Sequence, residues 1–341
     1  MVLTLKIKKS SAEKIKKILI TNNLYNRRFA TTSDTHHVFF PITDEKQVKQ
    51  IIKSPIFIEK NLKTILKKTN LKETLKNVLT KLELQHLKTA YDILGDMAII
   101  EIDEILVKKQ KLIGDTLLKI NSSIKTVAKK VGIHSGVFRL QKLKIIAGRK
   151  NKIITYKENN ALLKFNPEKV YFSARLSTER KRIYNLVKPG EFILVMFSGC
   201  APYPVILSKN TEAEEIIGVE INPDAHKYAL GNLKLNKIKN VKLFNGDVKD
   251  IIPKLKTKFD RILMPLPKSA EDFLPIALLA SKKGTIIHFY DFLNDKEFNK
   301  AKQKVKNACK RANIKYKSLN LVKCGQHAPH VYRICFDFKI L

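Results

Sequence analysis

Residues 214–247 read EEIIGVEINPDAHKYALGNLKLNKIKNVKLFNGD. An apolar run stops at Asn-Pro, an amphipathic stretch follows to Asn236, and a second short apolar run ends in Gly-Asp. That order predicts strand, helix, strand. Outward from it the alternation continues: EFILVMFSG (191–199) before it, then FDRILMPLP (259–267), AEDFLPIALLAS (270–281), GTIIHFYDF (284–292) and KEFNKAKQKVKNACKRAN (296–313). Strands alternating with helices are the pattern of an α/β fold with a doubly wound sheet. The last two apolar runs, IKYKSLNLVKC (314–324) and HVYRICFDFKI (330–340), have no helix between them and predict an antiparallel closing hairpin.

Upstream the character differs. Residues 1–70 read as a small α+β unit: a strand at Leu3 to Ile7, a helix at Ala12 to Ile20, and the extended stretch HHVFFPI closed by Pro41. The lysine-rich segment with spaced leucines over 71–90 reads as linker or exposed helix. Residues 91–168 read as a mixed, mostly antiparallel α+β module: LGDMAIIEID as one strand, DEILVKKQKLIGDTLLKI as a helix, then TVAKKVG, FRLQKLKIIAGR and NALLKFNP as short strands. KVYFSA reads as a further strand leading into residues 169–341, which hold the doubly wound sheet. Two smaller α+β domains thus precede one large α/β domain, a division that 341 residues make natural.

No apolar run approaches the roughly 20 residues of a membrane span, and the N-terminus lacks a signal-type apolar core. A cytoplasmic, membrane-free protein is expected. Cys200, Cys309, Cys324 and Cys335 show neither metal-ligand nor disulfide-framework spacing, so no metal is expected. The formal charge is +35, from 66 Lys and Arg against 31 Asp and Glu. Lysines and arginines gain affinity for polyanions by releasing counterions, so a nucleic acid is the expected partner. A heat-adapted surface or AT-rich coding also enriches lysine. Arginine is more telling: five of the ten fall between Arg139 and Arg182, and arginine suits planar or bidentate recognition of phosphates and bases.

Ligands of doubly wound sheets sit at the carboxyl ends of the strands. There the chain places Gly199 in a strand-to-helix turn, Glu220 about twenty residues on, Asp247 after the third strand, and MPLPKSA (264–270) after the fourth. Each has an ordinary reading as turn, cap or rigid loop. Together, carboxylates suited to ribose hydroxyls and an exocyclic amine favour a nucleoside-type ligand over a phosphate cradle.

At these residues the chain resembles the class I methyltransferases that use S-adenosylmethionine, and among them the archaeal-type tRNA (guanine-37-N1)-methyltransferases. The likeness runs from about Tyr91 to the C-terminus, most specifically through VYFSARLSTER and LPKSAEDFL. It implies that Phe197, Gly199, Glu220 and Asp247 line the donor site, that Pro265 and Pro267 belong to the loop beside the methyl donor, and that Glu179 stands at the general base. Arg139 and Tyr171 would then belong to the guanine pocket, with Arg175 and Arg180 contacting the nucleotide or its phosphate. Residues 1–70 would contact the outer corner of tRNA. One chain carries every part, so a monomer is expected.

Without the resemblance, Glu179 reads as a helix-dipole carboxylate. Arg139 would be a solvated strand residue, and Tyr171 and Phe172 core. His134, His288, His327 and His330 are scattered over different elements and read as satisfied or surface histidines. Three positions depart from the family pattern. Val195 replaces an acidic residue, Ala201 a glycine, and Pro265 the asparagine of an NLP or NPP motif. Losing that amide relaxes the target pocket. Methylation of C7 of 4-demethylwyosine to isowyosine, beside N1 of guanosine 37, is therefore a second expected activity. An aminocarboxypropyl transferase of the wyosine pathway and a non-catalytic RNA-binding module are the rival readings.

Overall fold

The computed structural model describes residues 1–64, 70–136, 138–266 and 269–341. Backbone contacts divide the chain into Met1–Asn70 and Leu71–Leu341.

In the first unit β1 (Val2–Lys8), α1 (Ala12–Thr21), β2 (Thr32–Ser33), β3 (His37–Pro41), α2 (Glu45–Ile51) and β4 (Ile56–Lys60) give an antiparallel sheet of order β2-β3-β1-β4. Leu5, Leu19, Phe40 and Val48 form its core. Asp44 caps α2 by accepting from the Gln47 N–H at 3.0 Å.

The second unit begins with α3 (Leu71–Leu75) and α4 (Lys81–His86), the latter opened by a Thr80–Glu83 capping box. Residues 71–90, expected as linker or exposed helix, form these two helices with Leu71, Leu75, Leu79 and Leu87 buried against Ile113 and Leu117. The spaced leucines were a packing stripe, which a lysine-rich background concealed. Next come β5 (Tyr91–Leu94), β6 (Met97–Ile100), α5 (Gln110–Ile120), β7 (Thr126–Ser135) and β8 (Leu140–Gly148), in sheet order β5-β6-β7-β8. LGDMAIIEID is two strands rather than one. Gly95 turns between them at φ +60°, where an added Cβ would stand 2.4 Å from the Thr155 carbonyl oxygen. The β6–β7 pair is parallel, crossed over by α5.

The hairpin β9 (Ile154–Glu158) and β10 (Ala161–Phe165) leads to the large sheet. KVYFSA, expected as a strand, is irregular chain ending in a 3-10 turn at Ala174–Leu176, and α6 (Ser177–Tyr184) follows. The remaining elements are β11 (Phe192–Met196), α7 (Pro202–Asn210), β12 (Glu215–Glu220), α8 (Pro223–Leu235), β13 (Val241–Asn245), α9 (Val248–Leu255), β14 (Phe259–Met264), α10 (Leu274–Leu279), β15 (Ser281–Asn294), α11 (Asn299–Arg311), β16 (Tyr316–Ala328) and β17 (Val331–Ile340). Among the described residues the sheet order is β13-β12-β11-β14-β15-β17-β16, parallel as far as β15 and antiparallel beyond. The order reverses between β11 and β14, so the crevice for a ligand opens at their carboxyl ends. Ile193, Leu194, Val195 and Met196 are fully buried, as a strand covered by helices on both faces requires. Among the described residues no helix is long and apolar enough to cross a membrane.

Leu75→Ala should cost the second unit about 2–5 kcal/mol, read by urea unfolding. An unchanged midpoint would return residues 71–90 to the status of a linker.

Candidate active site

Three strand ends are tied together at one residue, Glu220, through its carboxylate and its backbone carbonyl. Glu220, at the end of β12, accepts from the Gly199 N–H at 2.6 Å and from the Asn222 N–H at 2.8 Å. Burial raises its pKa, and the backbone donors Asn222, Gly199 and Ile221 oppose that rise. Asn245 on β13 donates to the Glu220 carbonyl at 2.7 Å, and Ser198 N–H to the Val219 carbonyl at 2.9 Å. The turn after β11 is left-handed at three residues, Phe197, Gly199 and Ala201, with φ of +57°, +57° and +65°, and strained at all but the glycine. Ala201 thus occupies a left-handed position that costs an L-residue roughly 1–2 kcal/mol, the physical reason a glycine suits it. Asn232, fully buried on α8, holds the turn by donating to the Cys200 carbonyl at 2.9 Å.

This edge fits the nucleoside portion of a donor. A Cβ on Gly199 would meet only the Tyr171 carbonyl oxygen, at 3.9 Å, so backbone there is open to close approach. Among the described residues the buried Ser198 hydroxyl beside it has no hydrogen-bond partner. Asp247 caps α9, accepting from the Lys249 N–H at 2.8 Å, and Phe197 packs edge-on against Phe273. Pro265 follows β14 directly, with Leu266 N–H bonded back to the Met264 carbonyl at 2.8 Å. Pro267 lies outside the described residues.

The Tyr171 segment runs from the glycine turn into a cavity of about 910 Å³ between the β5–β8 sheet and the closing hairpin. Arg139, Tyr171 and Arg175 line it together with Phe292, His327 and Arg333. Arg139 is not on a strand: it sits in the turn from β7 to β8 at φ +52°. Burial lowers its pKa, the Tyr171 hydroxyl opposes that, and the Arg333 guanidinium adds to it. Tyr171 is 44% exposed rather than core, and its hydroxyl accepts from Arg333 at 3.0 Å. Arg333 lies over the Phe292 ring, which stacks on His327 at 4.1 Å. Arg175 pairs with Asp92 at 2.8 Å.

Two expected site residues are placed elsewhere. Arg180 does not reach the cavity. It is 2% exposed, held bidentately by Glu158 and by the Ser173 carbonyl, with Phe172 against its face. A guanidinium in VYFSARLSTER looks the same in sequence whichever way it points. Glu179 does not line the cavity either, but stands one helical turn behind Leu176, which does. Its Oε1 accepts from Tyr290 at 2.7 Å and from Arg182 at 2.7 Å, and its Oε2 from Arg182 at 2.8 Å. Arg182 also donates to Asp337 at 2.6 Å, and Asp337 accepts from His288 Nδ1 at 2.6 Å. Arg261 joins His288 Nε2 at 2.8 Å and pairs with Glu191 at 2.7 Å. Sequence reading missed Tyr290, Arg182, Asp337 and Arg333. The one available signal was charge and phenol inside apolar strands, as in FYDF and YRICFDF.

A doubly wound sheet with a glycine turn and successive carboxylates at its edge, facing a basic and aromatic cavity, is the architecture of a class I methyltransferase. The TRM5/TYW2 methyltransferase domain matches residues 154–317, the TYW2 N-terminal domain residues 71–151, and the tRNA methyltransferase 5 N-terminal domain residues 4–49. The chain is 31% identical along its whole length to tRNA (guanine(37)-N(1))-methyltransferase Trm5b of Pyrococcus abyssi, covering 99% of that protein. Over 74% of the chain it is 33% identical to the full length of tRNA (guanine(37)-N(1))/4-demethylwyosine(37)-methyltransferase Taw22 of Nanoarchaeum equitans. The crystal structure of Pyrococcus abyssi Trm5b matches 100% of this chain and 99% of its own with a TM-score of 0.75 at 30% identity. A complex of aTrm5 with tRNALeu matches 99% of this chain and 100% of its own with a TM-score of 0.71 at 31% identity. The chain belongs to the TRM5/TYW2 methyltransferase family.

Breaking the buried Arg180–Glu158 pair with Glu158→Gln should cost about 3–5 kcal/mol in chemical denaturation, because it strands a buried guanidinium. Stability should also fall as pH drops below about 6.5. His288 has its pKa lowered by burial, which outweighs the Asp337 contact, so the unfolded chain takes a proton that the folded one refuses. A melting curve flat from pH 7 to pH 5 would contradict this.

Proposed function

We propose that this protein methylates N1 of guanosine 37 in tRNA, with S-adenosylmethionine as donor. The observation that carries the reading is the junction of the Gly199 turn with Tyr171, which sets a nucleoside-type edge beside a cavity lined by Arg139, Tyr171 and Arg333. Relatives named for this reaction match the chain from end to end, and a relative bound to tRNALeu shares its fold. The charge of +35 suits a polyanion substrate.

Glu220, Asp247, Gly199, Phe197 and Pro265 are the residues that would hold the donor. The sulfonium supplies an electrophilic methyl carbon and a neutral thioether leaving group. The chain's own work follows from the acceptor: N1 of neutral guanine carries a proton and has no free lone pair. Glu179 takes that proton as the new N–C bond forms, and Arg139 meets the charge that develops on O6. Tyr171 borders the inserted base, and Arg175 at the rim contacts the nucleotide or its phosphate. For Glu179 to reach the base, the contact with Arg182 must open, since its carboxylate is engaged in the structure. The base must leave the anticodon-loop stack, as flipped substrates do. Residues 1–70 are assigned to the outer corner of tRNA.

A second activity, methylation of C7 in 4-demethylwyosine, is favoured by Pro265. It follows β14 without an amide side chain to discriminate guanine, and Taw22 is among the relatives.

Glu179→Gln and Arg139→Ala should each lower the single-turnover rate by roughly 10²-fold or more while tRNA affinity changes little. Equal losses in affinity and rate would make them binding contacts. Nucleoside mass spectrometry after reaction with unmodified tRNA and with tRNA carrying 4-demethylwyosine should show methyl transfer to both. Methylguanosine alone removes the second activity, an aminocarboxypropyl adduct replaces the reaction class, and no product from either tRNA leaves an RNA-binding module.

A further inference from the structure

Behind Glu179 the polar groups form one chain, buried except at the partly exposed Arg182, from Glu191 just before β11 to Tyr203 on α7. Glu191 holds Arg261, Arg261 meets His288, His288 meets Asp337, Asp337 shares Arg182 with Glu179, and Glu179 accepts from Tyr290, which bonds Tyr203 at 3.0 Å. Its protonation follows from donor chemistry. A guanidinium only donates, so His288 Nε2 accepts from Arg261 and the imidazole is neutral, its proton on Nδ1 facing Asp337. Burial keeps the imidazole neutral, and burial likewise keeps both phenols and the Cys335 thiol protonated. Asp337 lies below the usual carboxylate range because His288 and Arg182 overcome its burial. Around Glu179 the facing groups are Arg182 from its own helix, Tyr203 from α7, Tyr290 from β15, and Asp337 with Cys335 from β17. The adjacent Arg180–Glu158 pair is balanced.

Three carboxylates, Glu179, Asp337 and Glu191, therefore stand against two guanidiniums, Arg182 and Arg261. One negative charge is left over among groups that are buried except for the partly exposed Arg182, and an uncompensated charge there is costly. Arg182 sits between the two carboxylates that compete for it. One proton would settle the competition: with it on Glu179, Arg182 pairs fully with Asp337 and the cluster becomes neutral.

We propose that Asp337 is a positioning residue for methyl transfer: by claiming Arg182 it leaves the cluster one proton short, and so makes Glu179 the acceptor of the proton lost from N1. Asp337 touches neither substrate nor donor. The inference rests on the reading of Glu179 as general base. In the step, the N1–H bond breaks toward the Glu179 carboxylate, the freed N1 pair forms the N–CH₃ bond, and the C–S pair stays on sulfur.

The test is the pH dependence of the single-turnover rate on tRNA in the full-length protein. Asp337→Asn removes the surplus charge and should move the acid limb toward lower pH by roughly one unit, with a roughly tenfold lower plateau. Arg182→Gln leaves the carboxylates without their shared cation and should move the limb the opposite way. tRNA affinity should stay within about twofold in both, since neither residue lines the cavity. A merely structural role lowers rates without moving the limbs apart, so limbs that stay put or move together overturn the proposal. Should either variant fail to fold, the unmodified protein answers with a pH indicator in a single turnover. Proton release lagging methyl transfer supports retention by the cluster, and simultaneous release overturns it. Glu179→Gln separates the two levels: loss of turnover with unmoved limbs in the other variants sinks this inference alone, whereas full turnover sinks the base assignment and this inference with it.

Discussion

Arg182 bridges two carboxylates, Glu179 on its own helix and Asp337 on β17, and that bridge fixes α6 to the large sheet. Much of the site hangs from it. The segment from Tyr171 to Leu176 that walls the cavity leads straight into α6, the helix this bridge holds against β17. Arg180, two residues away, fastens the same helix to Glu158 on β9. The two arginines of STERKR, Arg180 and Arg182, thus serve as internal anchors rather than as contacts to a polyanion.

Buried ion pairs of this kind contribute little net stability, because desolvation cancels much of the attraction. What they supply is definition of geometry. Each of the guanidiniums Arg180, Arg182 and Arg261 is held by a carboxylate from another element, and each such pairing specifies a distance that apolar packing would leave looser. The same logic applies to Glu220, whose carboxylate is tied to the Gly199 and Asn222 amides and so fixes the turn that a nucleoside must approach.

The cavity and the strand edge have different chemistry and different supports. The edge is built from backbone groups and short carboxylates within a few residues of the sheet. The cavity is assembled from elements far apart in sequence: the β7–β8 turn, the chain before α6, and the closing hairpin. Methyl transfer needs both within reach of one base, and the adjacency of Tyr171 to Gly199 is where they meet.

The layered plan was legible in the amino-acid order alone. Alternating apolar strands and amphipathic helices after Ser177 dictated the doubly wound sheet, the unbroken final pair dictated the antiparallel hairpin, and glycine and carboxylates at strand ends marked the ligand edge, because those signals are local and periodic. The tertiary structure decided what depends on which chain segments meet. Arg139 left a strand for a left-handed turn, Arg180 turned inward, the leucines of residues 71–90 found a core, and KVYFSA gave up the strand its composition favoured for irregular chain along a cavity. Arg182 was silent in sequence, and Tyr290 and Asp337 signalled no more than the need for a partner, for the same reason. A charged or phenolic residue inside an apolar strand reveals that it has a partner, but the partner lies 155 residues away between Arg182 and Asp337, and only folding brings it near.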